Sequence, residues 1–322
     1  MTTLHRVLSA LVVIVVVLSL LVAWFFGPAL GLALRGQPFF LLPPSPQRYA
    51  AVILDRAESL GLYGDSEEFA RARADVEKQA ATAEDPADLH AALDAALVAA
   101  GGRHSALIPA ERVEENIAAE PSLPEVSREG DILFARVPAH NVNHDGQRYA
   151  DLLAAGLTQP ACGAVLDLRG NSGGDMGPML AGLSPLLDDG VVLQHVSRFD
   201  TTDVVIDGNA VSGAGTPTTA SGGKNPVPVA LLTDEGTASA GEGVVLSFTG
   251  AEDARTFGSP TAGVPSANIG FSMNDGAAVL ITVAATRDRT GREHAEEALV
   301  PDVETGEPEA AAREWLATDH GC

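Results

Sequence analysis

TDEGTASAGE occupies residues 233–242. An apolar run, VPVALL (227–232), leads into it, and a run of small and apolar residues, GEGVVLSF (241–248), leads out. The first reads as a buried strand and the second as a helix, so the ten residues between them form a strand-to-helix turn. One hydroxyl, Ser239, stands between Ala238 and Ala240 at the junction. Ser239-Ala-Gly-Glu242 matches the S-x-x-E capping box, in which Ser239 caps a helix and Glu242 bonds back. The same position suits a nucleophile. A helix N-terminus offers unpaired N–H groups and partial positive charge to an oxyanion. Small neighbours let a substrate backbone come close, and Thr237 is available to cap in place of Ser239. On this stretch alone both roles stand.

Working outward, the same alternation repeats. DILFARVPA (131–139), CGAVLDLRG (162–170), GVVLQHVSRF (190–199) and NPVPVALLT (225–233) read as strands. GQRYADLLAAGL (146–157), DMGPMLAGLSPLL (175–187) and ASAGEGVVLSFTG (238–250) read as helices between or after them. Short apolar strands alternating with helices predict a buried, largely parallel sheet. SANIGFSMNDG (266–276) and AAVLITVAATRDRTG (277–291) predict a hairpin, AAAREWLA (310–317) a closing helix, and the Gly-, Ser- and Thr-rich residues 207–224 a loop. Residues 48–100 carry helical apolar spacing in three segments, punctuated by cap signals at Gly64, Asp65, Asp85 and Gly101.

The N-terminus differs in kind. Residues 7–26, VLSALVVIVVVLSLLVAWFF, carry no charge, and such a run spans roughly 30 Å as a helix, the thickness of a bilayer core. A secretory signal has an apolar region of only about 7–15 residues, and no strong small-x-small cleavage site stands directly after Phe26. The run therefore reads as an uncleaved, single-pass signal anchor, a cleaved signal being the rival. The bulk of the chain is expected outside the cytoplasm, at the cell membrane. Two cysteines, Cys162 and Cys322, could pair in that compartment or remain thiols. The net charge of −23 argues against nucleic acid as a partner.

A nucleophile needs a base. The two lysines, Lys78 and Lys224, lie in a predicted helix and a glycine loop. Of the eight histidines, His104 stands out in GGRHSAL, after a glycine turn and before an apolar segment. His140 and His144 share a loop without a third metal ligand nearby, and His294 lies beside Glu296 and Glu297 as an ion partner. His5, His90, His195 and His320 suit surface roles. A second strand-to-helix turn, AVLDLRGNSGGD (164–175), lacks both nucleotide-binding glycine signatures. It is either an ordinary glycine turn or one in which Gly173 or Gly174 offers a backbone N–H to developing negative charge.

Together, RHSAL (103–107), LDLRGNSGGD (166–175), LLTDEGTASAGE (231–242), FGSPTAG (257–263) and LVPDV (299–303) resemble the tail-specific, or C-terminal processing, serine peptidase family. The resemblance covers roughly residues 45–317. It implies an α/β fold of the ClpP/crotonase type with an N-terminal helical part and Ser239 as nucleophile. It also implies an oxyanion hole from the N–H of Ala240 with that of Gly173 or Gly174. Where many members place a lysine, this chain has Val264. The tricorn-like branch uses serine, histidine and glutamate, and His104-Ser105 matches its His-Ser pair. Glu296, with Glu297 as substitute, is the expected third member, although the spacing to Pro301-Asp302 differs from that branch. Only about 20 residues (111–130) stand where relatives carry a PDZ domain, too few for one.

The expected organisation is a flank (1–6), a transmembrane anchor (7–26), a Pro/Gly connector (27–47), a helical subdomain (48–101) and a peptidase domain (102–322). The expected activity is hydrolysis of peptide or protein substrates through an acyl-enzyme, without cofactor or metal. The alternative is a catalytically inactive binder of peptides or apolar ligands on the same fold.

Overall fold

The computed structural model describes residues 3–322. The chain divides into two compact units, one of residues 1–118 and 268–282, the other of residues 119–267 and 283–322.

The first unit opens with α1 (Thr3–Arg35), which continues through Pro28 and is therefore longer than the anchor expected over 7–26. From Leu8 to Arg35 it is long and apolar enough to cross a membrane, with a mean hydropathy of 2.9. Then come α2 (Pro46–Leu60), α3 (Glu67–Ala80), α4 (His90–Gly101), β1 (Ala106–Ile108) and α5 (Ala110–Ala118). Capping fixes the helix starts. Ser45 accepts from the Arg48 N–H, Ser66 from that of Phe69, and Asp85 opens a short 3-10 turn before α4. Tyr49, Ile53, Leu54, Phe69, Leu93 and Leu97 make the core of these helices.

In the second unit the chain forms β2 (Glu125–Glu129), β3 (Ile132–Arg136), α6 (Gly146–Leu157), β4 (Gly163–Asp167), α7 (Met176–Leu183), β5 (Gly190–Ser197), β6 (Thr201–Asp207), β7 (Ala210–Ser212), β8 (Thr218–Thr219), β9 (Val229–Thr233), α8 (Ala240–Phe248) and β10 (Ala254–Gly258). It then forms β11 (Ala267–Ser272) and β12 (Ala278–Asp288), which make the predicted hairpin; residues 268–282 belong to the first unit. β13 (Glu293–His294), β14 (Val303–Glu304) and α9 (Pro308–His320) complete the chain.

One sheet of the second unit has the order β14-β10-β9-β4-β3-β2, parallel throughout except for the antiparallel edge strand β2. Its central strands β4 and β9 read as nearly unbroken apolar runs because both faces are covered. Ala164 and Leu166 of β4, with Val229 and Leu231 of β9, face the core shared with α6, α7 and α8. The alternate residues Val165, Ala230 and Leu232 face Trp315 and Leu316 of α9. β5, β6, β7 and β8 instead pair antiparallel. The parallel sheet thus holds three of the four strands read from sequence, β3, β4 and β9, whereas residues 190–199 form β5 among antiparallel neighbours, and residues 207–224, expected as a loop, contain two short antiparallel strands. Residues 111–130 hold only part of α5 and β2.

Cys162 and Cys322 form a disulfide, which ties the C-terminus to the start of β4. In the chain-entropy account, closing a loop of this length stabilises the fold by about 5 kcal/mol.

Candidate active site

β4 and β9 are parallel neighbours, Ala164 opposite Val229 and Asp167 opposite Leu232. Each runs directly into a turn and a helix, so the two turns lie side by side at the carboxyl ends of the strands. Ligand crevices of open parallel sheets form at such ends.

The serine turn follows β9. Ser239 has φ 52° and ψ −119°, and among the described residues it is the one non-glycine residue with positive φ. A side chain held in this region stores strain on the order of 1–3 kcal/mol and persists only where its surroundings dictate it. Strained serines at strand-to-helix turns are a known device for projecting a nucleophile. α8 begins at the next residue, and the Ala240 N–H donates to no group among the described residues.

The surroundings that hold Ser239 are visible. Glu242, fully buried, accepts from the Ser239 N–H at 2.9 Å, the expected return bond of the capping box. It also accepts from Thr261 Oγ1 at 2.5 Å and from the N–H groups of Gly263 and Val264 at 2.8 and 2.9 Å. Four donors around one buried carboxylate compensate its desolvation and lock the FGSPTAG turn to the serine. Val264, which stands where the family resemblance led to the expectation of a lysine, meets Glu242 through its backbone. Thr237 does not cap α8. Its hydroxyl donates to Leu168 O at 2.9 Å and accepts from the Asp234 N–H at 3.1 Å, joining the two turns.

The glycine turn follows β4. Asn171, fully buried, donates to Val137 O and accepts from the Gly173 N–H at 2.9 Å. Its own carbonyl accepts from the Ala238 N–H at 2.8 Å, bonding one turn directly to the other. Gly173 has φ +99°, and a Cβ there would lie 2.7 Å from Ser239 Cβ and 2.9 Å from the Ala240 nitrogen. Only glycine leaves the space before that N–H open. The buried His140 grips the turn from its far side. Its N–H donates to Gly173 O at 3.0 Å and its carbonyl accepts from the Asp175 N–H at 2.8 Å. Burial lowers the His140 imidazole below its ordinary pKa, with Asp175 partly opposing. Gly174 is exposed, and its N–H donates to no group among the described residues. Two open N–H groups, those of Ala240 and Gly174, therefore belong to turns bonded to each other beside Ser239.

The other predicted residues lie as follows. His104 belongs to the first unit, half-buried in the turn between α4 and β1, and its carbonyl accepts from Asn268 Nδ2 at 3.1 Å. Its neighbour Ser105 is buried and bonded to Thr282. Glu296 is exposed after β13. Glu297 pairs with Arg292 at 2.9 Å and with His294 at 3.3 Å, as expected for His294, which also meets Asp288 at 2.8 Å. Lys224 is committed to the carbonyls of Ser184 and Leu187 and to Asp189. Sequence reasoning gave Glu242 a capping role only and missed Asn171 and His140 as holders of the glycine turn. A buried-type polar residue within a glycine turn was the available signal for Asn171.

The sequence model of peptidase family S41 matches residues 132–305, more than half of the chain. The nisin-resistance protein of Lactococcus lactis subsp. lactis is 33% identical over 283 residues, covering 86% of this chain and 89% of that protein. The solved structure of a lipoprotein from Streptococcus agalactiae matches with a TM-score of 0.77 at 28% identity, over 87% of this chain and 99% of that one. The photosystem II D1 C-terminal processing protease shares the fold, with a TM-score of 0.54 at 13% identity, over 87% of this chain and 98% of its own. The chain belongs to peptidase family S41.

Proposed function

We propose that this protein is a membrane-anchored, extracytoplasmic serine peptidase that cleaves peptide bonds through an acyl-enzyme on Ser239. The observation that carries the reading is Ser239 itself, strained at the head of α8 beside the open N–H groups of Ala240 and Gly174. In the proposed reaction Ser239 Oγ attacks the peptide carbonyl while His104 takes its proton. The oxyanion is held by the Ala240 and Gly174 N–H groups. Gly174 is preferred to Gly173, whose N–H is already taken by Asn171. His104 then protonates the leaving amine, and water hydrolyses the ester by the reverse sequence of proton transfers. Each oxyanion donor contributes about 3 kcal/mol to lowering the barrier. Glu296 is the proposed partner of His104, on its place in the sequence pattern.

The anchor assignment rests on the apolar length of α1, and the disulfide supports an oxidising compartment. The name of one relative, a nisin-resistance protein, makes nisin a substrate to try.

The test is labelling of the purified full chain with a fluorophosphonate. Wild type is expected to label, and Ser239→Ala and His104→Ala to lose the label with folding intact. A folded wild type that takes no label would overturn the peptidase reading in favour of a binding protein. Labelling that survives in His104→Ala would remove His104 as the base.

A further inference from the structure

The chain between the apolar helix and the helical part of the first unit was expected to be a loose connector, yet it is packed. Residues 27–35 are the last turns of α1, and residues 37–39 fold back against them. A Cβ on Gly27 would lie 2.8 Å from Phe39 O, and one on Gly31 would lie 2.4 Å from Phe39 N and 2.5 Å from Gln37 O. The Gly27-x-x-x-Gly31 face thus receives the returning backbone directly. Further contacts fix the return. Ser272 N–H donates to Gly36 O at 3.2 Å, and Gln37 Nε2 donates to Met273 O at 3.2 Å. From the first turn of α2, Arg48 donates to Trp24 O and lies 4.3 Å from the centre of the Trp24 ring and 5.3 Å from that of Phe40. The helix is clamped to its unit at both ends of the fold-back.

This packing leaves apolar side chains outside. Leu30, Leu34, Phe39 and Leu42 are 48%, 80%, 46% and 63% exposed, and Phe25 and Phe26, on the same helix as Leu30 and Leu34, are exposed as well. The charge pattern is as one-sided as the apolarity. The chain has 43 acidic residues, and the first of them is Asp55; before it the charges are Arg6, Arg35 and Arg48. The segment closest to the apolar helix is therefore free of the negative charge that dominates the rest. Length supplies the depth. The 28 residues from Leu8 to Arg35 make a helix of about 42 Å, against about 30 Å of bilayer hydrocarbon. If the uncharged run that ends at Phe26 fills the hydrocarbon, the excess falls on the last turns of α1 and the fold-back, at the depth of the headgroups.

We infer that Leu30, Leu34, Phe39 and Leu42 form a collar seated in the membrane interface, so that the first unit rests on the bilayer instead of hanging from a flexible stalk. The partner is a lipid surface, met by apolar side chains at the boundary between headgroups and acyl chains, with Arg35 and Arg48 suited to its phosphates. The inference rests on the anchored reading of α1. It confines the protein to substrates that reach the membrane surface.

The experiment is a depth measurement on the full chain in phosphatidylcholine–phosphatidylglycerol vesicles. Single cysteines replace Phe39 or Leu42 in separate variants and carry a nitroxide. Collisions with oxygen, which concentrates in lipid, are compared with collisions with a water-soluble nickel chelate. Ile14→Cys and Val142→Cys are the references for lipid and water. Labels at 39 and 42 are expected to favour oxygen over nickel at least threefold relative to position 142. Labels at 39 and 42 as open to nickel as position 142, with position 14 in lipid, would overturn the collar and leave the anchor standing. A water-exposed label at position 14 would overturn the anchor and the collar with it.

Discussion

The glycine turn after β4 and the serine turn after β9 leave neighbouring strands, enter helices of similar length and are bonded to each other, yet they solve the same backbone problem differently. The glycine turn reverses the chain through Gly170, Gly173 and Gly174, with φ of +70°, +99° and +108°, where positive φ carries no steric penalty. The serine turn takes its positive φ at Ser239 and must be held there by force. Glu242, with its four donors, supplies that force, and the buried Asn171 carbonyl fixes the residue before it. Strain without glycine, at Ser239 alone among the described residues and with a buried carboxylate behind it, is what the proposed role of that side chain as nucleophile requires. The glycine turn marks the opposite need, a backbone amide with no side chain in front of it.

The largest effect is expected from giving the glycine turn a side chain. In Gly173→Ala the new methyl would meet Ser239 Cβ and close the approach to the Ala240 N–H. Loss of one oxyanion donor predicts a fall of about 10²–10³ in kcat/KM, read with a peptide substrate or as the rate of fluorophosphonate labelling. Activity within threefold of wild type would show that the Ala240 N–H is not used.

Weakening the hold on the serine turn comes next. In Glu242→Gln the shape is kept, but an NH2 replaces one acceptor and faces two donors. Hydrogen bonds to a charged group contribute about 1.5–3 kcal/mol each. A stability loss of about 2–4 kcal/mol and a labelling rate lower by about 10- to 100-fold are expected. Thermal unfolding and labelling separate the two effects. A fall in thermal midpoint with an unchanged labelling rate would reduce Glu242 to a purely structural role.

Thr237→Val tests the link between the turns. The substitution keeps volume, removes one of the two donors to Leu168 O, which keeps the Asn171 N–H, and leaves the Asp234 N–H without its Thr237 acceptor. It is expected to lower stability by about 1–2 kcal/mol, seen as a shift in the denaturant midpoint with the slope unchanged. No shift would mean that the Asn171 and Asp234 contacts suffice.

The comparison also explains what could be read from sequence. β4 and β9 were legible because burial on both faces leaves continuous apolar runs, and the two turns because glycines and small residues punctuate them. The Cys162–Cys322 pair was legible as one of two alternatives. His140 was not, because it acts through its backbone, which no side-chain pattern reports. Glu242 was half legible. The return bond to Ser239 is local, whereas Thr261, Gly263 and Val264 reach it only in the folded chain. β7 and β8 escaped because short strands among Gly, Ser and Thr lack alternation. The packed fold-back after α1 escaped because its glycines read as a connector until Phe39 is seen against them.

The smallest effect concerns pH and falls on the glycine turn. His140 holds both ends of Gly173-Gly174 by its backbone, while its ring lies 4.9 Å from that of Tyr149. Burial lowers its pKa in the folded protein, with the Asp175 and Asp145 charges opposing and His144 reinforcing. The folded state therefore prefers the neutral ring. Above the ordinary histidine value of about 6.5 neither state binds a proton and the contribution is fully present. Below it the unfolded chain takes up the proton first, and stability falls until the pH passes the folded value. His195, lowered by burial alone, adds to the same slope. Asp288 has burial raising its pKa and hydrogen bonds from Thr290 and His294 outweighing it, so its loss belongs to a more acidic window. His140→Asn should thus flatten, without abolishing, the decline in stability between pH 7 and 5, measured as denaturant midpoints across that range. Equal slopes in both proteins would mean that the ring of His140 is solvated as the pH falls, and that the glycine turn is held by the backbone contacts alone.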